Sequence, residues 1–439
     1  MGILFFGIIL RLIWLGFSPY EPKTHWDPSH MLESDVTNVQ ALEITKGIWF
    51  YDDQGVPSAH RPIGYPFLLG FVYKIFGRFT LAAYGLNLAL FAGGLWLVYL
   101  LGKIIFDETA GLLAAFFYTI HPVSIYSIKL ITDEHLFIPL WFFGIYLLLR
   151  EMKGRPVRWP LFWYGIIFGY AAMTRTHAIF MPLVVALAYI LLKRPWKKVF
   201  FSLLTVAIMM QVVNLPWVIR NYKIWGIPVL YTANNSYVYR DFNSSATPEG
   251  EGHIPTKGEE GYSEDLEKAR SSDPIRYHIL SGKLMTRWIL EHPKRFLFLG
   301  TCRAIYFMGW NRSGGVWPTW FQFQQGSFDP ARPVPQGVKD FLEEMAYAFY
   351  YALLFCFMFS IFLMIKRWRQ LSLETRGPIL VLGSCFVFWL MEHMVIYPDR
   401  KYRFPLEPLM IVVSAYFLEA VLREFRWGVP GFLKKQRAV

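Results

Sequence analysis

Cysteine is nearly absent: Cys302, Cys356 and Cys385 are the three in a chain of 439 residues. Their odd number, the lack of metal-type spacing and the apolar runs around two of them exclude a disulfide framework and a zinc module. Charged residues are scarce too, at 17%, and no internal repeat, low-complexity tract or coiled-coil heptad is visible. Neither Gly-x-x-x-x-Gly-Lys-Ser/Thr nor a Gly-x-Gly-x-x-Gly opening a helix occurs, so the usual phosphate-cradling nucleotide loops are missing. What the chain has is apolar surface, with 54% hydrophobic and 18% aromatic residues. Apolar runs of roughly 17–25 residues recur, each able to cross a hydrocarbon core about 30 Å thick. Runs of that length satisfy their backbone polar groups in lipid only as helices. The sequence therefore specifies an all-α polytopic membrane protein. Its formal charge of +12 sits at the ends of those runs, where anionic headgroups and the positive-inside rule place it. No nucleic-acid partner is expected.

The candidate spans are Ile3–Phe17, Leu81–Phe106, Ala110–Ser127, Leu136–Arg150, Trp159–Met173, Ile179–Leu192, Val199–Ile219, Met345–Ile365, Ile379–Tyr397 and Leu406–Leu422, about ten helices. The first run is interrupted by Arg11 and has no small-x-small cleavage site, so it is expected as a retained helix. Arg150, Lys153, Arg155 and Arg158 crowd one connection, and Lys193, Arg194, Lys197 and Lys198 a second. Lys366, Arg367, Arg369 and Arg376 crowd a third, and the tail adds Arg426, Lys434, Lys435 and Arg437. An amino terminus in the cytoplasm puts all four clusters inside, as expected for a multi-pass protein of the cytoplasmic (inner) membrane. The chain then divides into an N-terminal transmembrane module (1–220) with a first external loop at 18–80, an extracytoplasmic loop region (221–344), and C-terminal transmembrane helices with a basic tail (345–439). Asp35–Gly47 and Pro66–Phe76 are expected as short helices along the membrane surface, and Arg295–Trp310 as an interfacial or re-entrant helix. Asn243–Asp273, rich in Gly, Ser, Glu and Pro, reads as a mobile external loop.

Ionisable groups gather at the outer ends of these spans. Asp35, His60 and Arg61 lie in the first loop, Asp133 and Glu134 open the fourth span, and Arg175 and His177 follow the fifth. Arg220 closes the seventh, Glu392 and His393 lie within the ninth, and Asp399-Arg400-Lys401-Tyr402-Arg403 follows it. Positive charge there opposes the orientation rule, and ionisable residues at membrane depth mark functional pathways. Nucleotide sugars are scarce outside the cytoplasm, so an enzyme at this face needs a substrate activated beforehand and delivered through the bilayer. A polyprenyl-phosphate sugar fits, with its tail along the helices and its phosphate at Arg61, Arg400, Lys401 and Arg403. Charge-assisted hydrogen bonds to that phosphate strengthen as it leaves and gains charge. The acceptor hydroxyl needs a base, and Asp35 is the candidate catalytic residue. Asp133 and Glu134, with His60, Arg175 and Arg220, are candidates for orienting the acceptor or the first loop. A divalent metal is compatible with this chemistry but no clear ligand set supports one: His25, Asp27 and His30 have a usable spacing that Pro28 and the loop setting undermine. No other cofactor is implied.

Five stretches carry a resemblance: Ser34-Asp35 with Gly47 and Tyr51, Arg61-Pro62-Ile63-Gly64-Tyr65-Pro66, Thr132-Asp133-Glu134, Leu215-Pro216-Trp217-Val218-Ile219-Arg220-Asn221-Tyr222, and Lys401-Tyr402-Arg403-Phe404-Pro405-Leu406-Glu407-Pro408. In this order, over nearly the whole chain, they resemble the GT-C glycosyltransferases, in particular the bacterial branch related to protein O-mannosyltransferases and the aminoarabinose transferases that modify lipid A. The resemblance implies a GT-C-like bundle, a first-loop aspartate acting as catalytic base (Asp35), and a basic residue before the loop proline on the donor phosphate (Arg61). Lys401 departs from the arginine usual in that branch, so its role can pass to Arg400 or Arg403. The large carboxy-terminal soluble domain of some relatives is not expected. The expected activity is inverting transfer of a hexosyl or pentosyl group from a polyprenyl-phosphate donor to a lipid, glycan or protein acceptor.

Plainer roles stand beside these. Asp35 suits the cap of a short helix, Asp133 and Glu134 complement a helix dipole, and Arg61, Arg175 and Arg220 suit headgroup anchors. His393 reads as a packing residue. Three other functions compete: a transporter or flippase, which needs charged or broken spans near the midplane in repeated halves; a ligase moving a whole glycan from a pyrophosphate carrier; and a non-catalytic assembly protein.

Overall fold

The computed structural model describes residues 1–18, 20–25, 33–48, 57–59, 61–78, 80–233, 241, 243–248, 252–310, 335–396 and 398–427. The bundle is helical, as expected. After α1 (Gly2–Phe17) come two short helices of the first loop, α2 (Glu33–Thr45) and α3 (Gly64–Phe76). The chain then runs through α4 (Thr80–Ile105), α5 (Glu108–Thr119), α6 (Pro122–Tyr126), α7 (Glu134–Met152), α8 (Pro160–Thr174), α9 (Met181–Leu191) and α10 (Trp196–Trp225). The long loop carries α11 (Glu264–Ser272), α12 (Pro274–Glu291) and α13 (Pro293–Ile305), and α14 (Gln336–Lys366), α15 (Leu373–Val395) and α16 (Glu407–Trp427) close the fold.

Five of these, α4, α7, α10, α14 and α15, are long and apolar enough to cross a membrane, and a sixth span forms if α5 and the bent segment Pro122–Lys129 count as one. Each expected span falls on a helix or helix pair, but two depart from a simple rod. Ala110–Ser127 is bent by 54°, because Pro122 has no N–H to continue α5 and instead starts α6 under a His121 cap that accepts from Ser124 N at 3.1 Å. Ile179–Leu192 opens as a 3-10 turn, Thr176–Phe180, before α9. The break after α5 explains Arg11. This fully buried guanidinium donates to the Thr119 carbonyl at 3.0 Å and to Ser124 Oγ at 2.7 Å, and lies 3.3 Å from the Phe91 ring centroid. It satisfies backbone that the bend leaves open, as a buried charge requires.

The stretch expected as a mobile external loop, 243–273, ends in the helix α11. Ser263 caps α11 through Leu266 N, with Glu264, Asp265 and Glu267 in the first turn, and Asp273 caps α12 ahead of Pro274. Capping chemistry outweighs the loop-like composition there.

The core is a bundle in which α4 packs on α5 and α7, α8 on α7 and α10, and α16 on α14 and α5. At the α4–α5 crossing a Cβ on Gly111 would lie 2.7 Å from the Tyr99 carbonyl oxygen, so only glycine lets these backbones approach. Connectivity then sorts the helix ends. The basic ends of α7, α9 and α14 lie away from the end that holds the start of α7, the end of α8, the end of α15 and the start of α16. That second end holds the candidate site.

Candidate active site

Asp35 lies in the first turn of α2, inside the helix and not at its cap, and is 1% exposed. Its Oδ1 accepts from Tyr20 Oη at 2.9 Å and from Lys23 N at 2.8 Å, which pins the carboxylate to the chain leaving α1. Burial and the neighbouring Asp35 push the Tyr20 phenol well above its ordinary value, so it stays a donor. One residue earlier, Ser34 Oγ accepts from Ile131 N at 2.7 Å. That bond joins the first-loop helix to the segment that leads into Thr132, Asp133 and Glu134. A second strut holds the same segment: Tyr65 Oη donates to Asn87 Oδ1 at 2.5 Å, while Asn87 Nδ2 donates to the Ile128 and Leu130 carbonyls at 2.9 and 3.0 Å.

The next layer is electrostatic. Glu134, fully buried at the start of α7, forms an ion pair with Arg175, which caps α8. The Arg175 guanidinium also lies 5.0 Å from the Tyr402 ring centroid. Asp133 is pushed up to about 7, first by burial and then by Glu134, while Arg175 and Arg61 pull it down. Arg61, Arg175 and Glu134 all act on the Tyr402 phenol as well, which burial raises to about 12. The first loop, the start of α7, the end of α8 and the 3-10 turn Arg400–Arg403 therefore share one electrostatic neighbourhood. On that turn Lys401 is buried, its ammonium lowered by burial to about 7, and its backbone N–H is capped by Asp399 at 2.9 Å.

The first loop docks closely. Tyr170 Oη donates to the Gly64 carbonyl at 2.9 Å, and a Cβ on Gly64 would lie 2.9 Å from Thr174 Cα. Arg220 serves this loop from α10. It donates to the Ser58 carbonyl at 3.0 Å and to Asn221 Oδ1 at 2.9 Å, between the Trp217 and Trp225 rings.

Arg403 is differently placed. Its guanidinium donates to Glu407 at 2.8 Å and to the Phe307 carbonyl at 3.2 Å, and lies 3.4 Å from the Tyr350 ring centroid. Arg400 shares the turn, but its side chain, His60, Asp27 and His30 lie outside the described residues. Among the described residues no group of three or more His, Cys, Asp or Glu side chains is arranged to hold a metal ion.

Sequence reasoning missed Tyr20 and Asn87, and gave Tyr65 a place in a motif but no partner. A lone asparagine in the apolar run of α4 was the available signal, since a buried amide demands partners. His393, expected as a packing residue, does pack against aromatic rings. The structure stacks His393 on Phe307, with ring centroids 4.1 Å apart, and His177 on Trp389 at 4.0 Å.

Residues 60–219 match the family described as dolichyl-phosphate-mannose-protein mannosyltransferase. The matched segment holds Arg61, Asp133, Glu134 and Arg175, and lies between Asp35 and the 400–403 turn. No curated protein matches the sequence. Among solved structures the chain is similar to the archaeal oligosaccharyltransferase AglB from Archaeoglobus fulgidus in complex with an inhibitory peptide and a dolichol-phosphate, with a TM-score of 0.53, 12% identity, and 100% of this chain and 52% of that one covered. An Archaeoglobus fulgidus oligosaccharyltransferase tethered with an acceptor peptide gives 0.53 and 12%, covering 97% and 50%. ArnT from Cupriavidus metallidurans bound to undecaprenyl phosphate gives 0.42 and 10%, covering 95% and 78%. The fold is that of GT-C membrane proteins, and the chain spans about half the length of the archaeal enzyme.

Proposed function

We propose that this protein is a membrane glycosyltransferase that moves a sugar from a polyprenyl-phosphate donor to a lipid, glycan or protein acceptor. The convergence at one end of the bundle carries the reading: Ser34 next to Asp35 binds Ile131, and the segment beyond it brings Asp133 and Glu134 to Arg175, Arg61 and the Tyr402 turn. The family match over 60–219 supports it. With the basic helix ends in the cytoplasm, the site opens on the extracytoplasmic face of the inner membrane.

The reaction is a direct displacement. Asp35, held by Tyr20 and Lys23 N, accepts the proton of the acceptor hydroxyl. The acceptor oxygen bonds to the anomeric carbon as its bond to the carrier phosphate breaks, and that phosphate leaves with the electron pair, inverting the centre. Arg61 and Lys401 stabilise the departing charge, with Arg400 on the same turn. Arg403 keeps that turn in place through Glu407. Glu134 and Asp133 fix Arg175 and the first loop, and Arg220 holds the segment before Arg61.

Asp35→Asn is expected to lower transfer by about 10²–10⁴-fold while binding of undecaprenyl phosphate to the purified chain persists. Transfer near the wild-type rate in that variant removes the base. Mass spectrometry of envelope lipids, glycans and proteins, with and without the chain, identifies the sugar added. A mass increment of a whole glycan would instead select the pyrophosphate-linked ligase.

A further inference from the structure

Beside Arg175 lies a cluster that the transfer scheme does not use. His177 on the 3-10 turn before α9 and Glu392 and His393 near the end of α15 are all buried. His393 Nδ1 meets the Trp389 carbonyl at 2.9 Å, but its Nε2 has no partner. Both ring nitrogens of His177 and Oε2 of Glu392 are also without hydrogen bonds. His177 Nε2 and Glu392 Oε2 face each other at 3.9 Å, too far for a direct bond. Close by, Glu134 Oε2 and Asp133 Oδ1 are likewise unpartnered. Buried polar atoms in native proteins are almost always paired with protein, water or ligand. So many open ones in a single neighbourhood describe a site whose partner is a ligand.

We propose that His177, Glu392 and His393 form the subsite for the donor's sugar ring, which rests on the glycosyl-transfer reading above. Three features select a hydroxylated ring. A phosphate has only acceptor oxygens and leaves carboxyl oxygens unserved. A hydroxyl both donates and accepts, and one placed about 2.8 Å from each group spans the His177–Glu392 gap whichever of the two carries the proton. The walls are aromatic: Trp389 stacks on His177, Phe307 on His393, and the Tyr402 ring centroid lies 5.7 Å from His393 and 6.1 Å from His177. Aromatic side chains around a few convergent polar groups are the kind of lining that suits a small ligand. Finally, Tyr402 follows Lys401 on the proposed phosphate turn, so the group beside it is the one attached to that phosphate. It is the sugar that this cluster reads.

The test measures binding of undecaprenyl phosphate, bare or carrying mannose, glucose, galactose or N-acetylglucosamine, to the full chain in lipid nanodiscs. Wild type is expected to bind at least one sugar-bearing carrier tenfold or more tighter than the bare one. Glu392→Leu and His177→Phe are expected to bring that ratio to about one and leave bare-carrier affinity unchanged. Because they remove unpartnered polar atoms, their thermal midpoints should stay level or rise; Glu392→Gln, closer in shape, should also lose the ratio. A ratio preserved in the variants overturns the subsite while sugar transfer stands. Lower midpoints with loss of bare-carrier binding, or failure of all three variants to fold, make the cluster structural and overturn it too. Wild type binding bare carrier with no preference for any sugar overturns the subsite alone. Wild type binding no carrier at all overturns the glycosyl-transfer reading itself.

Discussion

Two buried polar networks sit at the same end of this bundle, and they are built on opposite plans. In the first, Arg403 donates to Glu407, Glu407 meets His121 Nε2 at 2.7 Å, and His121 Nδ1 accepts from Ser124 N. Because Nδ1 accepts, Nε2 carries the proton and donates, so both ring nitrogens and both carboxylate oxygens are used. In the second, Glu134 and Arg175 pair, but Glu134 Oε2 and Arg175 Nε remain open, as do the adjoining groups of Asp133, His177, Glu392 and His393. A closed network ties α6, the 3-10 turn and α16 together and leaves no oxygen of Glu407 or nitrogen of His121 without a partner. An open one carries a desolvation cost that a bound ligand would remove. Closure distinguishes the two networks where burial and charge alone do not.

The largest effect that tests this contrast is Glu407→Ala. It strands the Arg403 guanidinium and the His121 N–H together, and breaking a buried ion pair from one side costs about 3–5 kcal/mol. Thermal unfolding in detergent should show it as a large drop in midpoint, alongside the level or raised midpoint of Glu392→Leu. Equal losses in the two variants would erase the distinction between closed and open.

Gly64→Ala sharpens the comparison at the next size down. The added methyl would lie 2.9 Å from Thr174 Cα and N, so α3 must move off α8. Overpacking of this kind costs about 1–3 kcal/mol. Thr174 precedes Arg175, so the open network shifts while the closed one, on other elements, does not. Transfer is expected to fall more than tenfold with only a modest loss of midpoint. A variant that loses midpoint but keeps its turnover would show that the loop's close approach serves stability alone.

What the sequence disclosed follows the same line. Asp35, Arg61, Glu134 and Arg175 could be read because charge at the outer end of an apolar run is anomalous wherever it folds. Arg403 looked equivalent to Lys401, since both are cations on one junction. Glu407, one helical turn on, hinted at a pair, but His121 lies far away in the chain and no local pattern reveals it. Glu392 and His393 were visible as ionisable residues, whereas their meeting with His177 depends on how α15 packs against α9 and its preceding turn. The helices α11 and α12 were obscured by composition, although Ser263 and Asp273 carried the capping signal. Local chemistry was legible, and long-range closure was not.

Lys401 gives the finest test, because it asks whether a buried cation in the open region answers to a ligand. Burial disfavours its charged form and lowers it to about 7, so the empty site holds an ammonium below that pH and an amine above it. If this lysine meets the carrier phosphate, affinity for undecaprenyl phosphate should fall as pH rises from 7 to 9, by up to about tenfold per unit. The phosphate itself is largely dianionic by then, its second ionisation lying near 6, and does not mask the trend. Asp133 contributes with the same sign, since its carboxyl, raised to about 7, gains negative charge over the start of this range. The two are separable. Lys401→Arg keeps a permanent charge and should flatten the slope up to pH 9, whereas Asp133→Asn should flatten it only near 7. Isothermal titration at four pH values reads both. A slope unchanged in Lys401→Arg would take the phosphate away from this lysine and leave Lys401 as part of the scaffold, on the closed side of the comparison with Arg403.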